Sequence, residues 1–165
     1  MKSLKCIAIS VIFIMTTVSS KAQSIVYVFN DWGGGTGTPS CTLTIDGKDA
    51  GSMFGKETKR IECSSWNGFL TPAITYSKAV KPCIINKEGK TIFKIFLEWA
   101  PVIEPNSIMK MADECQLDLV DGETYYIHSK RKGITGIQFV EIKAKTGEKL
   151  LKNKKYEHLP NFVLE

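Results

Sequence analysis

The sequence predicts an all-β protein, an antiparallel β-sandwich of about seven or eight short strands with room for one short C-terminal helix. Three observations carry that expectation. Runs rich in β-branched and aromatic residues alternate apolar with polar positions. Turn signals separate them at intervals of roughly ten residues. No long segment repeats its apolar residues with the period of a helix.

Taken in order, residues 25–29 (Ile-Val-Tyr-Val-Phe) form the first such run, which stops at Asn30, Asp31, Trp32 and a glycine-rich loop, 33–37. Residues 42–45 alternate with Leu43 and Ile45 on one face, and Asp46-Gly47 follows as a hairpin signal. Residues 60–66 alternate again, with Ile61 and Cys63 together. Residues 83–85 and 91–99 flank a polar turn at 86–90 and read as a second hairpin, in whose long arm Phe93, Ile95, Leu97 and Trp99 share a face. Pro101 and Pro105 interrupt the pattern, and 107–112 is expected to carry a helical turn. Residues 115–119 and 124–128 are strands on either side of Asp121-Gly122, and 137–144 is another. The segment 149–156 is the expected site of the terminal helix.

Residues 1–22 read as a signal peptide: Lys2 and Lys5 precede an apolar run over 7–18, and Ser20 and Ala22 supply the small residues of a cleavage site after Ala22. That leaves 23–165 as a single domain, with no membrane span expected in it. The full chain carries 22 basic and 17 acidic residues, but Lys2, Lys5 and Lys21 leave with the leader, so the mature excess is only +2. A balance this even argues against nucleic acid as a partner. The expected location is periplasmic or secreted.

Cys6 also leaves, and Cys41, Cys63, Cys83 and Cys115 remain. An even number in an exported chain is read as two disulfides, whose pairing the sequence leaves open among three choices. Their wide spacing lacks the close ligand pair of a zinc site, and neither metal nor cofactor is expected.

The order of Ile25-Val26-Tyr27-Val28-Phe29, then Ile45-Asp46-Gly47-Lys48, then Gly122-Glu123-Thr124-Tyr125-Tyr126-Ile127 resembles a bacterial family catalogued as domain of unknown function twenty-eight forty-six. Asn30 stands where that family's first strand often ends in Arg, and 66–82 reads as an insertion. The resemblance implies an exported or lipid-anchored β-sandwich and no particular reaction.

Candidate chemistry is sparse. The 33–37 glycines lack the Lys-Ser/Thr and following helix of a phosphate loop. His128 and Ser129 are strand neighbours and point to opposite faces, so they cannot act as base and nucleophile. His128 and His158 are therefore read as surface residues, and Lys149, Lys152, Lys154 and Lys155 as a solvated terminus. Glu98 and Asp118 lie on polar strand faces and are the only carboxylates weighed as a facing hydrolytic pair. Trp32, Trp66 and Phe69, with Phe54, are loop aromatics suited to a partner or a sugar face. The expected function is a non-catalytic binding or scaffolding role in the cell envelope through protein–protein contacts. The alternatives are a carbohydrate-binding module using Trp32, Trp66 or Phe69, and a small carboxylate-dependent hydrolase.

Overall fold

The structure, a computed structural model, describes residues 23–37, 39–64, 70–100, 108–133 and 136–165. Its first strands are β1 (Ser24–Asn30), β2 (Gly34–Thr36), β3 (Ser40–Ile45), β4 (Lys48–Ser52), β5 (Glu57–Ser64), β6 (Leu70–Tyr76) and β7 (Lys78–Ile85). β8 (Gly89–Trp99), β9 (Met109–Leu119), β10 (Thr124–Lys132) and β11 (Gly136–Glu141) follow. One helix, α1 (Ala144–Leu151), then precedes β12 (Tyr156–His158) and β13 (Phe162–Leu164).

Alternation of side chains explains how these strands stack. In β1, Val26 and Val28 face one way while Phe29 faces the other, and all three are fully buried. Only a central strand covered on both faces has that pattern. β1 sits in a six-stranded sheet of order β11-β10-β1-β7, with β12 and β13 both paired to the outer edge of β7. A four-stranded sheet, β4-β3-β8-β9, supplies Leu43, Ile45, Phe93, Ile95 and Leu97 to the same core as Val26 and Val28. The two inner faces form the sandwich. A third sheet, β2-β6-β5, adds a smaller ladder.

The opposite face of the six-stranded sheet carries a second cluster of Phe29, Val80, Tyr126 and Tyr156, against which Leu150 and Leu151 of α1 pack. The helix approaches so closely that a Cβ on Gly147 would lie 2.1 Å from Tyr126 Cγ.

The all-β expectation holds, with differences that have physical reasons. Asp46 and Gly47 close the β3–β4 hairpin with φ of 49° and 78°, the left-handed pair that a two-residue turn requires. The segments read as a second hairpin do not pair with each other: β7 belongs to the six-stranded sheet and β8 to the four-stranded one. Their shared turn is a crossing between layers, which local pattern cannot distinguish from a hairpin. β1 runs parallel to β10, and β12 and β13 run parallel to β7, so the sandwich is not purely antiparallel. The break between β12 and β13 coincides with Pro82 in β7, which has no N–H to offer, and with Pro160 in the tail. Residues 109–112, expected to carry a helical turn, extend β9 instead, because Met109 and Met111 continue its alternation opposite Trp99 and Leu97. The helix forms at 144–151, earlier than expected.

The disulfide expectation is not met. Cys41, Cys63, Cys83 and Cys115 are all free. In the ladders they lie opposite Leu97, Thr71, Val26 and Phe93 respectively. Cys41 and Cys83 are buried among aliphatic side chains, and burial pushes both thiols up to about 12. Residues 1–22, read from the sequence as a signal peptide, lie outside the described residues, among which no helix is long and apolar enough to cross a membrane.

Candidate functional site

β1 ends in a side chain that shapes everything after it. Asn30 is fully buried, and its Oδ1 accepts the Trp32 N–H at 3.1 Å. Its Nδ2 donates to the Trp32 carbonyl at 3.2 Å and to the Met53 carbonyl at 3.0 Å. An amide that satisfies three backbone groups fixes the turn, leaving Asp31 in a polar cluster with β7, β10 and β12 while Trp32 joins the inner core.

Trp32 is 9% exposed. The Trp99 indole lies 5.6 Å from it at an interplanar angle of 43°, and the Arg131 guanidinium sits 5.6 Å from the Trp32 ring centroid. The glycines that follow let backbone come close. A Cβ on Gly34, whose φ is +128°, would fall 2.0 Å from the Ile74 carbonyl oxygen, and one on Gly35 would fall 3.1 Å from Trp99 Cβ. The glycine cluster is therefore a packing device that seats β2 against β6 and Trp99.

What results is an open cleft of about 380 Å³ lined by Trp32, Gly33, Gly34, Gly35, Trp99 and Arg131, with Thr36 and residues 73–75 of β6. A smaller concavity of about 180 Å³ shares Trp32, Gly33, Gly34 and Arg131 and reaches Asp31. Trp99 also lines a third, of about 200 Å³, with Glu98, Ala100 and Ile108. Ile108 and Met109 beside it are 64% and 39% exposed.

Asp31 anchors a polar cluster next to this cleft. It accepts the Tyr156 hydroxyl, and its Oδ2 lies 3.2 Å from Lys78 Nζ and 3.2 Å from His128 Nε2. The His128 contact is close but lacks hydrogen-bond alignment. Burial alone would raise the Asp31 carboxyl, but His128, Tyr156 and Lys78 outweigh it and hold the group well below the usual carboxylate range. Burial, then Asp31, pushes the Tyr156 phenol up. A carboxylate fixed ionised against a phenol fixed protonated is a structural tie, not a proton-transfer pair near neutral pH.

His128 is not the surface residue its sequence suggested. Its side chain is 14% exposed and sits edge-on to Phe29, at 6.3 Å and 76°, because β10 is an inner strand between β1 and β11. Ser129 is fully buried, and its Oγ has no partner among the described residues. Glu98 and Asp118 do not meet. Glu98 pairs with Lys110 at 2.9 Å, while Asp118 stands opposite Lys90, eight positions along β8, a separation of about 27 Å. Phe54 is buried and stacks on Tyr76 at 4.4 Å and 5°. Trp32 and Phe54 thus cap the core and do not form an open aromatic platform, whose exposure the sandwich end would not favour. Trp66 and Phe69 lie outside the described residues.

Sequence reasoning missed Trp99 and Arg131, the two residues that wall the cleft. Trp99 reads as one more core position of an alternating strand; the signal was that Ala100-Pro101 follows, which places it at the strand's end where loops gather. Among the described residues no group of His, Cys, Asp and Glu side chains could hold a metal ion. No protein-family model matches the chain, and no curated protein or solved structure is significantly similar to it.

Proposed function

We propose that the chain is an exported, non-catalytic binding module of the cell envelope that engages a protein partner at the Trp99 end of the sandwich. One observation carries this reading: Trp99 lines two concavities at once, with Ile108 and Met109 exposed beside it. A tryptophan in a concave, partly apolar setting is the side chain most often found anchoring an interface. The leader-like residues 1–22 and the motifs that resemble an exported family support the compartment.

The test is site-specific cross-linking in the native cells. A photoreactive amino acid at position 108 should give a discrete protein adduct that Trp99→Ala abolishes. The same group at position 163, on β13, should not give that adduct. Absence of an adduct at 108, or its persistence in the Trp99→Ala chain, counts against the proposal.

A glycan is the second reading, favoured by the two indoles around the cleft. Because Arg131 and Trp99 already lie against Trp32, such a ligand would stack on Trp99 alone. Glycan-array signal lost in Trp99→Ala would favour it over a protein.

A further inference from the structure

We infer that the lysine-rich surface of α1 and the turn after it, residues 143–155, docks on a membrane surface of anionic phospholipid headgroups. The inference rests on the envelope location proposed above and needs no part of the Trp99 end. It concerns the face of the six-stranded sheet that points away from the sandwich core.

Charge is sorted along this chain. With Lys2, Lys5 and Lys21 set aside it carries 19 basic and 17 acidic residues, of which 143–155 take six lysines and only Glu148, leaving 13 basic against 16 acidic. Lys143, Lys145, Lys149, Lys152, Lys154 and Lys155 are all exposed. None of them makes an ion pair among the described residues, whereas Arg60, Lys78, Lys87, Lys94 and Lys110 are each matched to a carboxylate. Helix stability does not explain the pattern. Lys149 and Lys152 complement the dipole at the C-terminal end of α1, but Lys143 and Lys145 stand at its N-terminal end, where a cation is unfavourable and the first turn holds no acidic residue.

The lysines read from the sequence as a solvated terminus sit on an element fastened to the sheet. Leu150 and Leu151 pack on the cluster of Phe29 and Tyr156, and Gly147 brings the helix onto Tyr126. The apolar side of α1 is therefore occupied by this protein's own core and is not on offer for insertion into a bilayer. Lys145, Lys149 and Lys152, spaced four and then three apart, line the other side as one stripe. Exposed Lys130 alternates in step with Tyr126 and His128 along β10 and adds to the same sheet face. Among the described residues the four main concavities take no lining residue from 143–155, so this surface offers spread charge and not a pocket. Spread charge suits an extended anionic plane better than a single bound anion, since each lysine near such a plane adds to the attraction. The exported compartment read from residues 1–22 is bounded by such a plane.

The experiment is co-sedimentation of the chain, as its native cells process it, with vesicles of phosphatidylcholine alone or of phosphatidylcholine and phosphatidylglycerol in equal parts. Binding should appear only with phosphatidylglycerol at about 50 mM salt and be lost at about 0.5 M. Lys145→Gln, Lys149→Gln and Lys154→Gln combined should weaken it roughly a hundredfold, at about fivefold per lysine. The charge-matched control, Lys48→Gln, Lys56→Gln and Lys90→Gln combined, should weaken it by less than about fivefold, with circular dichroism confirming that both variants fold. Equal loss in the two triple variants would show that net charge, and not this surface, does the binding, and would overturn the inference. So would salt-resistant binding, binding to phosphatidylcholine alone, or binding to neither vesicle. Retention on duplex DNA at the salt that releases the chain from vesicles would overturn the membrane assignment in favour of a nucleic acid. Failure in any of these ways leaves the cross-link at position 108 standing, so the two readings fall separately.

Discussion

The Tyr156 hydroxyl donates its hydrogen bond to Asp31 across 125 residues of sequence, fastening the tail strand β12 to the end of β1. The same carboxylate holds Lys78 of β7 and faces His128 of β10, so one side chain ties together four neighbouring segments beside the cleft. Tyr156→Phe keeps the ring against Phe29 but removes the donor. Stability should fall by about 1–3 kcal/mol in urea unfolding, with little change in m-value.

Asp31 also sets an acid dependence. Its folded-state pKa lies below its unfolded value of about 3.9, so the unfolded chain takes up the proton first. The stability it contributes is whole above about pH 5 and is lost as pH falls through 4 towards the folded value. Asp46, Glu57 and Glu157 are also held low and share this acid limb. Unfolding midpoints measured from pH 6 to pH 2 should therefore decline for the wild type and decline less steeply for Asp31→Asn.

Lys81 answers a different local problem. The β3–β4 ladder shifts register between Leu43 and Thr44, leaving Ala50 as an extra residue without a ladder partner. Lys81, 6% exposed, donates its Nζ to the Ala50 carbonyl at 2.5 Å. Burial lowers its pKa, against the opposing influence of Cys83 and Asp49. Lys81→Met should lower stability by about 1–3 kcal/mol, because it leaves that carbonyl unpaired. The unfolded chain holds the lysine proton more tightly. The wild type should thus gain stability as pH rises towards about 10.4, and the methionine variant should lose that gain.

Gly147 inverts the usual helix rule. An exposed helical Gly→Ala stabilises by up to about 1 kcal/mol, but here the new methyl would lie 2.1 to 2.7 Å from three Tyr126 atoms. Gly147→Ala should destabilise by about 1–3 kcal/mol. In the Tyr126→Ala background the same change should be neutral or favourable, which a double-mutant cycle reads directly.

The free cysteines give a chemical check on the fold. Cys41 and Cys83 are buried with thiols held up to about 12, whereas Cys63 is only partly buried. Iodoacetamide at pH 8 should label Cys63 first and leave Cys41 and Cys83 untouched until denaturant is added. Mass shifts of the denatured protein should then show Cys41, Cys63, Cys83 and Cys115 all alkylated.

The alternation in residues 25–29, 42–45 and 91–99 is enough to place their core faces, because a strand's two faces are set by its own residues. The Asp46-Gly47 turn is equally local. Pairing between distant strands is not. Nothing in Thr124 to Ile127 says that it lies parallel to β1, and nothing in Asn86 to Glu88 says that the chain there changes sheets. The candidate site was half legible for the same reason. Trp32 stands out beside its glycines, but its burial depends on Asn30, Arg131 and Trp99, which reach it only after three sheets have assembled.

The most direct test of the account is the affinity of the partner recovered by cross-linking at position 108, titrated against wild type, Trp99→Ala and Val163→Ala. The account predicts binding at least about tenfold weaker for Trp99→Ala and unchanged for Val163→Ala, which lies towards the opposite end of β7. Equal affinity for wild type and Trp99→Ala, with both folded, would contradict it.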